Sequence, residues 1–205
     1  MTLTSWLSLV TICILGAMSP GPSLAVVLKH SIANSTKHGL VVAFTHGIGV
    51  GLYAVAALLG LASLLLSMPV LYKVLVYLGA AYLLFMGIRA LISKQSPFSP
   101  DLKSPQQASL SVAAIDGFTI AFLNPKLAVF FIALFSQLID PDTLNLVTGA
   151  VMAGTVLVID IVWYCVVAGI IHHTRERFDF SKRAKLFDKI AGLVFIGLAI
   201  RVVFI

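Results

Sequence analysis

The stretch MTLTSWLSLVTICILGAMSPGPSLAVVL, residues 1–28, contains no charged side chain and is interrupted by prolines at positions 20 and 22. A helix needs about 20 apolar residues to cross a bilayer, so this run is long enough for one span. It lacks the basic start of a secretory signal and has SPGP where a cleavage motif would sit. We therefore interpret it as a membrane helix of the mature protein with a break inside it.

The composition of the whole chain agrees with a membrane protein. Hydrophobic residues make up 60% and charged residues 11% of the 205 residues, whereas soluble domains carry about 25% charged residues. The apolar runs lack the ten-residue alternation of a membrane barrel, which leaves helices as the way to satisfy the backbone in lipid. The predicted fold class is an all-α membrane protein of six transmembrane helices, at about residues 5–28, 40–66, 70–92, 111–138, 144–171 and 190–205.

The six predicted helices fall into two similar halves. Residues 93–110, rich in Pro, Ser, Gln and Lys, are predicted to be a cytoplasmic linker between a first repeat, 1–92, and a second repeat, 111–205. Each repeat has three helices, and because three is odd the second is inverted relative to the first. The segment PSLAV at 22–26 resembles PKLAV at 125–129, and both lie in the first helix of their half. Inverted repeats with interrupted first helices are a common plan of secondary transporters.

Positive charges indicate the orientation. Most of the 14 Lys and Arg residues lie in the three connections that share one side of the membrane. The positive-inside rule puts this side in the cytoplasm and both termini outside. The basic residues on this side are Lys29, Lys37, Arg89, Lys94, Lys103, Arg175, Arg177, Lys182, Arg183, Lys185 and Lys189.

The prolines predict where the two first helices break. Proline inside a helix removes a hydrogen bond and clashes with the preceding turn. Ser19 before Pro20, and Asn124 before Pro125, resemble N-cap residues followed by proline at the first helical position. This alignment differs by two residues from the PSLAV/PKLAV alignment, and the sequence does not choose between them.

Two restarted half-helices would present their N-termini to each other near the middle of the membrane. Free N–H groups and the helix dipole make such an end a binding site for a carboxylate. The alternative is two structural kinks without a ligand. The predicted substrate-binding residues are Ser19, Gly21, Pro22, Ser23, Asn124, Pro125 and Lys126.

Ionisable residues inside the predicted spans are the other candidates. Asp160 is predicted to carry a proton, and the alternative is a static ion pair with Lys126. His46, Trp163 and Asp116 are candidates for the pocket or a gate, against packing or interfacial roles. Tyr164, next to Trp163, is also a candidate for the cavity lining, with packing as the alternative. Gly47 and Gly51 form a G-x-x-x-G that favours close helix packing. The sequence contains no nucleotide-binding or hydrolase motif and no metal-ligand spacing, so we expect no catalytic residues, no metal and no cofactor.

The chain resembles the LysE/RhtB family of amino-acid exporters. The resemblance rests on SPGP at 19–22, Gly47-x-x-x-Gly51, GAAYL at 79–83 and LNPK at 123–126 with Phe130-Phe131 and Gln137, and it covers essentially the whole chain. It implies a bacterial plasma-membrane protein that exports amino acids in exchange for protons. Asp160 in Ile-Asp-Ile is similar to the homoserine/threonine branch. Ser23 and His46 depart from residues that many members carry, an Asn and a small or apolar residue.

The expected partners are therefore an amino-acid substrate, protons and the lipid bilayer, and not nucleic acid. The sequence leaves a homodimer open. A membrane scaffold with fixed kinks is the main alternative function, and it predicts no transport and tolerance of Pro125→Ala. An ion conduit and a membrane enzyme rank below it.

Overall fold

The computed structural model describes residues 1–19, 21–92, 108–139 and 145–174, together with residues 189, 190, 192, 193, 196, 197, 199 and 200. All regular structure in these residues is helical. The predicted linker 93–110 lies outside the described residues except for its last three, and so do Pro20, the basic segment 175–188 and Arg201. The helices are α1 Leu3–Met18, α2 Pro22–Ala33, α3 Thr36–Ser67, α4 Pro69–Ile92, α5 Leu110–Phe122, α6 Pro125–Leu138 and α7 Leu146–Thr174.

Local sequence explains where these helices begin. The Thr2 hydroxyl accepts a hydrogen bond from the Ser5 N–H at 3.2 Å, and Ser109 does the same for Val112 at 3.3 Å, so both are N-caps. Three further helices, α2, α4 and α6, begin at a proline. Proline fits the first helical position because an N–H at that position makes no hydrogen bond within the helix. The proline therefore removes no helical hydrogen bond there.

Among the described residues, two helices, α3 and α7, are long and apolar enough to cross a membrane, through Thr36–Leu61 and Leu146–Ile171. The bent pair α1 and α2, which meet at 59°, qualifies as a third span when taken together. Large apolar side chains are exposed on the outer faces, among them Leu59 at 68%, Val70 at 75% and Leu146 at 89%. Surfaces of this kind are stable in lipid and not in water, so the protein is a helical membrane protein.

Helix α3 is the centre of the bundle, because it contacts α2, α4, α5, α6 and α7. The two interrupted stretches, α1–α2 and α5–α6, pair crosswise: α1 contacts α6, and α2 contacts α5. They therefore run antiparallel, with their breaks side by side. Two buried apolar clusters pack the bundle, one around Phe131 and Phe135 and the other around Val27 and Val42.

Glycines allow the close approach of α3 to its two main neighbours. A Cβ at Gly51 would lie 2.7 Å from Leu157 Cδ1, and one at Gly47 would overlap Ile161, so the G-x-x-x-G packs closely against α7. On the other side, a Cβ at Gly117 of α5 would lie 2.7 Å from the Val42 carbonyl oxygen of α3. A backbone atom cannot move aside as a side chain can, so Gly117 is the tighter contact.

We expect Gly117→Ala to lower the melting temperature of the purified protein. The added methyl group forces α5 away from α3, and overpacking of this kind costs about 1–3 kcal/mol. Gly154→Ala is the matched control, because it adds the same methyl group in mid-helix with nothing within 4 Å. That change gains helix propensity of up to about 1 kcal/mol. Equal melting temperatures for the two variants would show that α3 and α5 are not closely packed.

Candidate functional site

The first break, between α1 and α2, has a different register from the one predicted with Ser19 as the N-cap. Ser19 is the C-cap of α1, and its N–H donates to the carbonyl oxygens of Leu15 and Gly16. Helix α2 begins at Pro22, with Gly21 as its N-cap in extended conformation. The prediction of Ser19 as the N-cap is therefore wrong, and the PSLAV/PKLAV alignment is right. The reason is that Ser19 still closes the last turn of α1, so α2 starts at the second proline.

The second break follows its prediction. Asn124 is the N-cap of α6, and its Oδ1 accepts a hydrogen bond from the Lys126 N–H at 3.0 Å, with Pro125 at the first helical position. The two half-helices consequently differ. The N-terminus of α6 is capped by its own asparagine, whereas the N-cap of α2 is a glycine that gives its first turn no side-chain hydrogen bond. The N–H groups of Ser23 and Leu24 in that first turn are therefore available to a ligand.

The two breaks touch each other. The Lys126 ammonium donates a hydrogen bond to the Ser19 hydroxyl at 3.0 Å, and Asn124 Nδ2 lies 3.5 Å from the Ser23 hydroxyl. Lys126 Nζ is also 3.7 Å from where a Cβ at Gly21 would stand. Lys126, from the second break, thus places its positive charge beside the uncapped N-terminus of α2. The charge and the uncapped helix end both attract an anion.

A cavity lies where the breaks meet α3 and α7. The volume open to the centres of water molecules is about 40 Å³, room for about three waters. Its polar side chains come from the predicted set, and most of its wall is apolar. The cavity is lined by Cys13, Gly16, Ala17, Ser19, Gly21, Pro22, Ser23, His46, Val50, Asn124, Lys126, Leu127, Phe130, Phe131, Val156, Ile159, Asp160 and Tyr164.

Helices α3 and α7 contribute a buried acid–base pair to the cavity lining. His46 Nδ1 lies 2.7 Å from Asp160 Oδ2, and the side chains of His46 and Asp160 are 1% and 9% exposed. Tyr164, one turn after Asp160 on α7, packs against the imidazole with ring centroids 5.0 Å apart. The partner predicted for Asp160 from the sequence was Lys126 and not His46. Residues 114 positions apart on separate helices carry no sequence signal for such a contact.

Two predicted residues lie away from the cavity. Trp163 packs against the second apolar cluster and is not among the lining residues. Tyr164, the candidate next to it, does line the cavity, because it and Asp160 are four residues apart and share one face of α7. Asp116 is bonded to His30 Nε2 at 2.9 Å and lies 3.8 Å from Lys29 Nζ. It joins α2 to α5 near the C-terminal end of α2, where Lys29 and His30 lie.

Comparison with known proteins agrees with the resemblance seen in the sequence. The family model of the LysE type translocator matches residues 14–204. A leucine efflux protein of Klebsiella pneumoniae subsp. pneumoniae is 32% identical over 89% of this chain and 86% of its own length. A leucine efflux protein of Salmonella choleraesuis is 29% identical over the same shares. The uncharacterized membrane protein YrhP of Bacillus subtilis is 24% identical over 96% of this chain and 97% of its own. No solved structure matches the chain significantly.

Proposed function

The chain belongs to the LysE type translocator family, and on that premise we propose that it exports neutral amino acids, leucine first among them, in exchange for protons. It is a membrane translocator and not an enzyme. The observation that carries the proposal is the cavity, whose lining combines a positive end, at Lys126 and the start of α2, with an acidic end, at Asp160 and His46, and is otherwise mostly apolar.

The positive end fits the carboxylate of an amino acid. The first turn of α2 has no side-chain cap, and the Lys126 ammonium lies beside it at Ser19. Backbone N–H groups of a helix N-terminus bind a carboxylate without any further charge, and a neighbouring ammonium adds a charge-assisted hydrogen bond. Because Asn124 already caps α6, the carboxylate belongs at α2 rather than between two equal helix ends.

The acidic end fits the ammonium group. Asp160 supplies the carboxylate and is hydrogen-bonded to His46, 2.7 Å away on the neighbouring helix. Between the two ends the wall includes Leu127, Phe130 and Ile159, which favour an aliphatic side chain over a hydroxylated one. This lining supports leucine ahead of homoserine and threonine, which stay in the proposal as weaker substrates. The leucine efflux proteins among the relatives support the same order.

Alternating access would proceed by opening the two ends of the cavity in turn. On the side of α1 and α6, Gly16 lies so close to Phe130 that a Cβ there would be 2.9 Å from the ring. On the side of α2 and α5, His30 is bonded to Asp116. We propose that these contacts are the outer and inner closures. The proposal includes six spans as two inverted repeats, 1–92 and 111–205, with both termini outside and the His30–Asp116 end in the cytoplasm.

Transport into inverted membrane vesicles tests this function. Vesicles containing the protein should accumulate radiolabelled leucine when their lumen is acidified, and an ionophore that collapses the pH gradient should release it. Homoserine, threonine and lysine, added as unlabelled competitors, rank the substrates; we expect leucine to be the strongest and lysine the weakest. The matched control is vesicles from cells without the protein. Failure to accumulate any amino acid would favour the membrane scaffold.

A further inference from the structure

One nitrogen in the cavity has no partner in the described residues. His46 uses Nδ1 for Asp160, while its Nε2 is buried and makes no hydrogen bond. The His46 side chain is 1% exposed, and His46 lines the cavity. A buried polar atom without a partner is costly, so an unpartnered nitrogen on a residue that lines a cavity favours a ligand that reaches it.

The bond to Asp160 determines what Nε2 can do. A carboxylate accepts hydrogen bonds, so Nδ1 carries the hydrogen and donates it. In the neutral imidazole Nε2 is then an acceptor, and in the imidazolium it is a donor. The same atom can therefore accept a hydrogen bond from an ammonium group or hold a proton, but it cannot do both.

We propose that the proton and the substrate ammonium compete for His46 Nε2, and that this competition couples export to proton entry. The proposal rests on the proposed amino-acid export and deepens it. Asp160 acts as the fixed countercharge, and His46 is the group that exchanges the proton. A protonated His46 repels the ammonium and offers it no acceptor. Release of the substrate outside frees Nε2 for a proton, which leaves inside before the next substrate binds.

The other titratable groups near the cavity are less suited than His46 to exchange the transported proton. The cavity also contains Asp160 and Tyr164 on α7, Lys126 on α6 and Cys13 on α1. Lys126 is hydrogen-bonded to Ser19, and on α2 and α5 the groups Lys29, His30 and Asp116 interact with one another. Histidine is the side chain that exchanges protons near neutral pH, so among the cavity residues it suits a proton that must bind and leave in every cycle.

Calorimetry of leucine binding to the purified protein tests the competition. Titration in two buffers with different ionisation enthalpies gives the number of protons released for each leucine bound. Over a series of pH values we expect wild type to release a proton, with the number released for each leucine rising toward one as the pH is lowered. The affinity should fall by about tenfold for each pH unit on the acidic side.

His46→Gln should bind leucine without releasing a proton and with an affinity independent of pH. Glutamine keeps a donor for Asp160 and an acceptor for the ammonium, but it does not titrate. His38→Gln is the matched control, because His38 hydrogen-bonds the Ala108 carbonyl outside the cavity, and it should behave as wild type.

Two results would overturn the inference while leaving amino-acid export intact: wild type that binds leucine without proton release at any of these pH values, or His46→Gln that releases protons as wild type does. The wild-type measurement decides the matter even where the variant does not fold. Absence of binding for every amino acid tested would overturn both this inference and the proposed function.

Discussion

Asp160→Asn should abolish the accumulation of leucine that a pH gradient drives in inverted vesicles. Asparagine has the same shape but lacks the negative charge that faces the ammonium group. It also replaces an acceptor with an amide whose orientation no longer fixes the hydrogen on His46 Nδ1. A hydrogen bond to a charged group contributes about 1.5–3 kcal/mol, so leucine affinity should fall by about 10- to 150-fold. The coupled flux should fall to the level of vesicles without the protein.

The control for this experiment is Asp160→Glu, which restores the charge on a longer side chain. It should regain part of the gradient-driven accumulation. If position 160 served only packing, the charge would not matter, and the Glu and Asn variants would be equally impaired. Initial rates at several leucine concentrations separate affinity from maximal flux. Leucine that is still concentrated by the gradient in the Asn variant would show that Asp160 does not take part in coupling.

Much of the fold was predictable because lipid imposes a simple rule on the sequence. The apolar runs predicted at 40–66 and 144–171 correspond to α3 and α7, and the interruptions predicted inside the first and fourth runs are the α1–α2 and α5–α6 breaks. Backbone hydrogen bonding decides these features locally, through proline and asparagine. The count of six spans stays a prediction, since two helices and one bent pair qualify among the described residues.

The register of the first break was ambiguous for a local reason. Ser19 and Asn124 both precede a proline, but only Asn124 caps the helix that follows. At the first break two prolines stand two residues apart, and a serine can end one helix as easily as it can begin another. The repeat PSLAV/PKLAV carried the better signal, because it compares the whole first turn rather than the residue before it.

The pairing of side chains within the site was not predictable from the chain alone. His46 and Asp160 meet because Gly47 and Gly51 allow α3 to approach α7 closely, and the rotation of each helix then decides which faces meet. Asp116 was a candidate for a gate, and its bond to His30 places it at an end of the bundle. Its role in gating stays a prediction.

Lys126→Met should weaken leucine binding by about 10- to 150-fold, because it removes a charge-assisted hydrogen bond worth about 1.5–3 kcal/mol. Methionine keeps much of the length and apolar character of the lysine stem, so the wall of the cavity is preserved. The substitution leaves the N–H groups at the start of α2 in place, and residual binding should remain. Lys37→Met, at an exposed position near the start of α3, is the matched control and should bind as wild type.

A change in the ligand shows whether Lys126 acts on the carboxylate. Leucinamide keeps the ammonium and side chain but lacks the negative charge, so wild type should bind it more weakly than leucine. In Lys126→Met the two ligands should differ much less, and the four affinities form a cycle whose coupling energy isolates the contact between ammonium and carboxylate. If the substitution weakens both ligands equally, Lys126 acts through its hydrogen bond to Ser19, by holding the two breaks together. The carboxylate would then depend on the backbone of α2 alone.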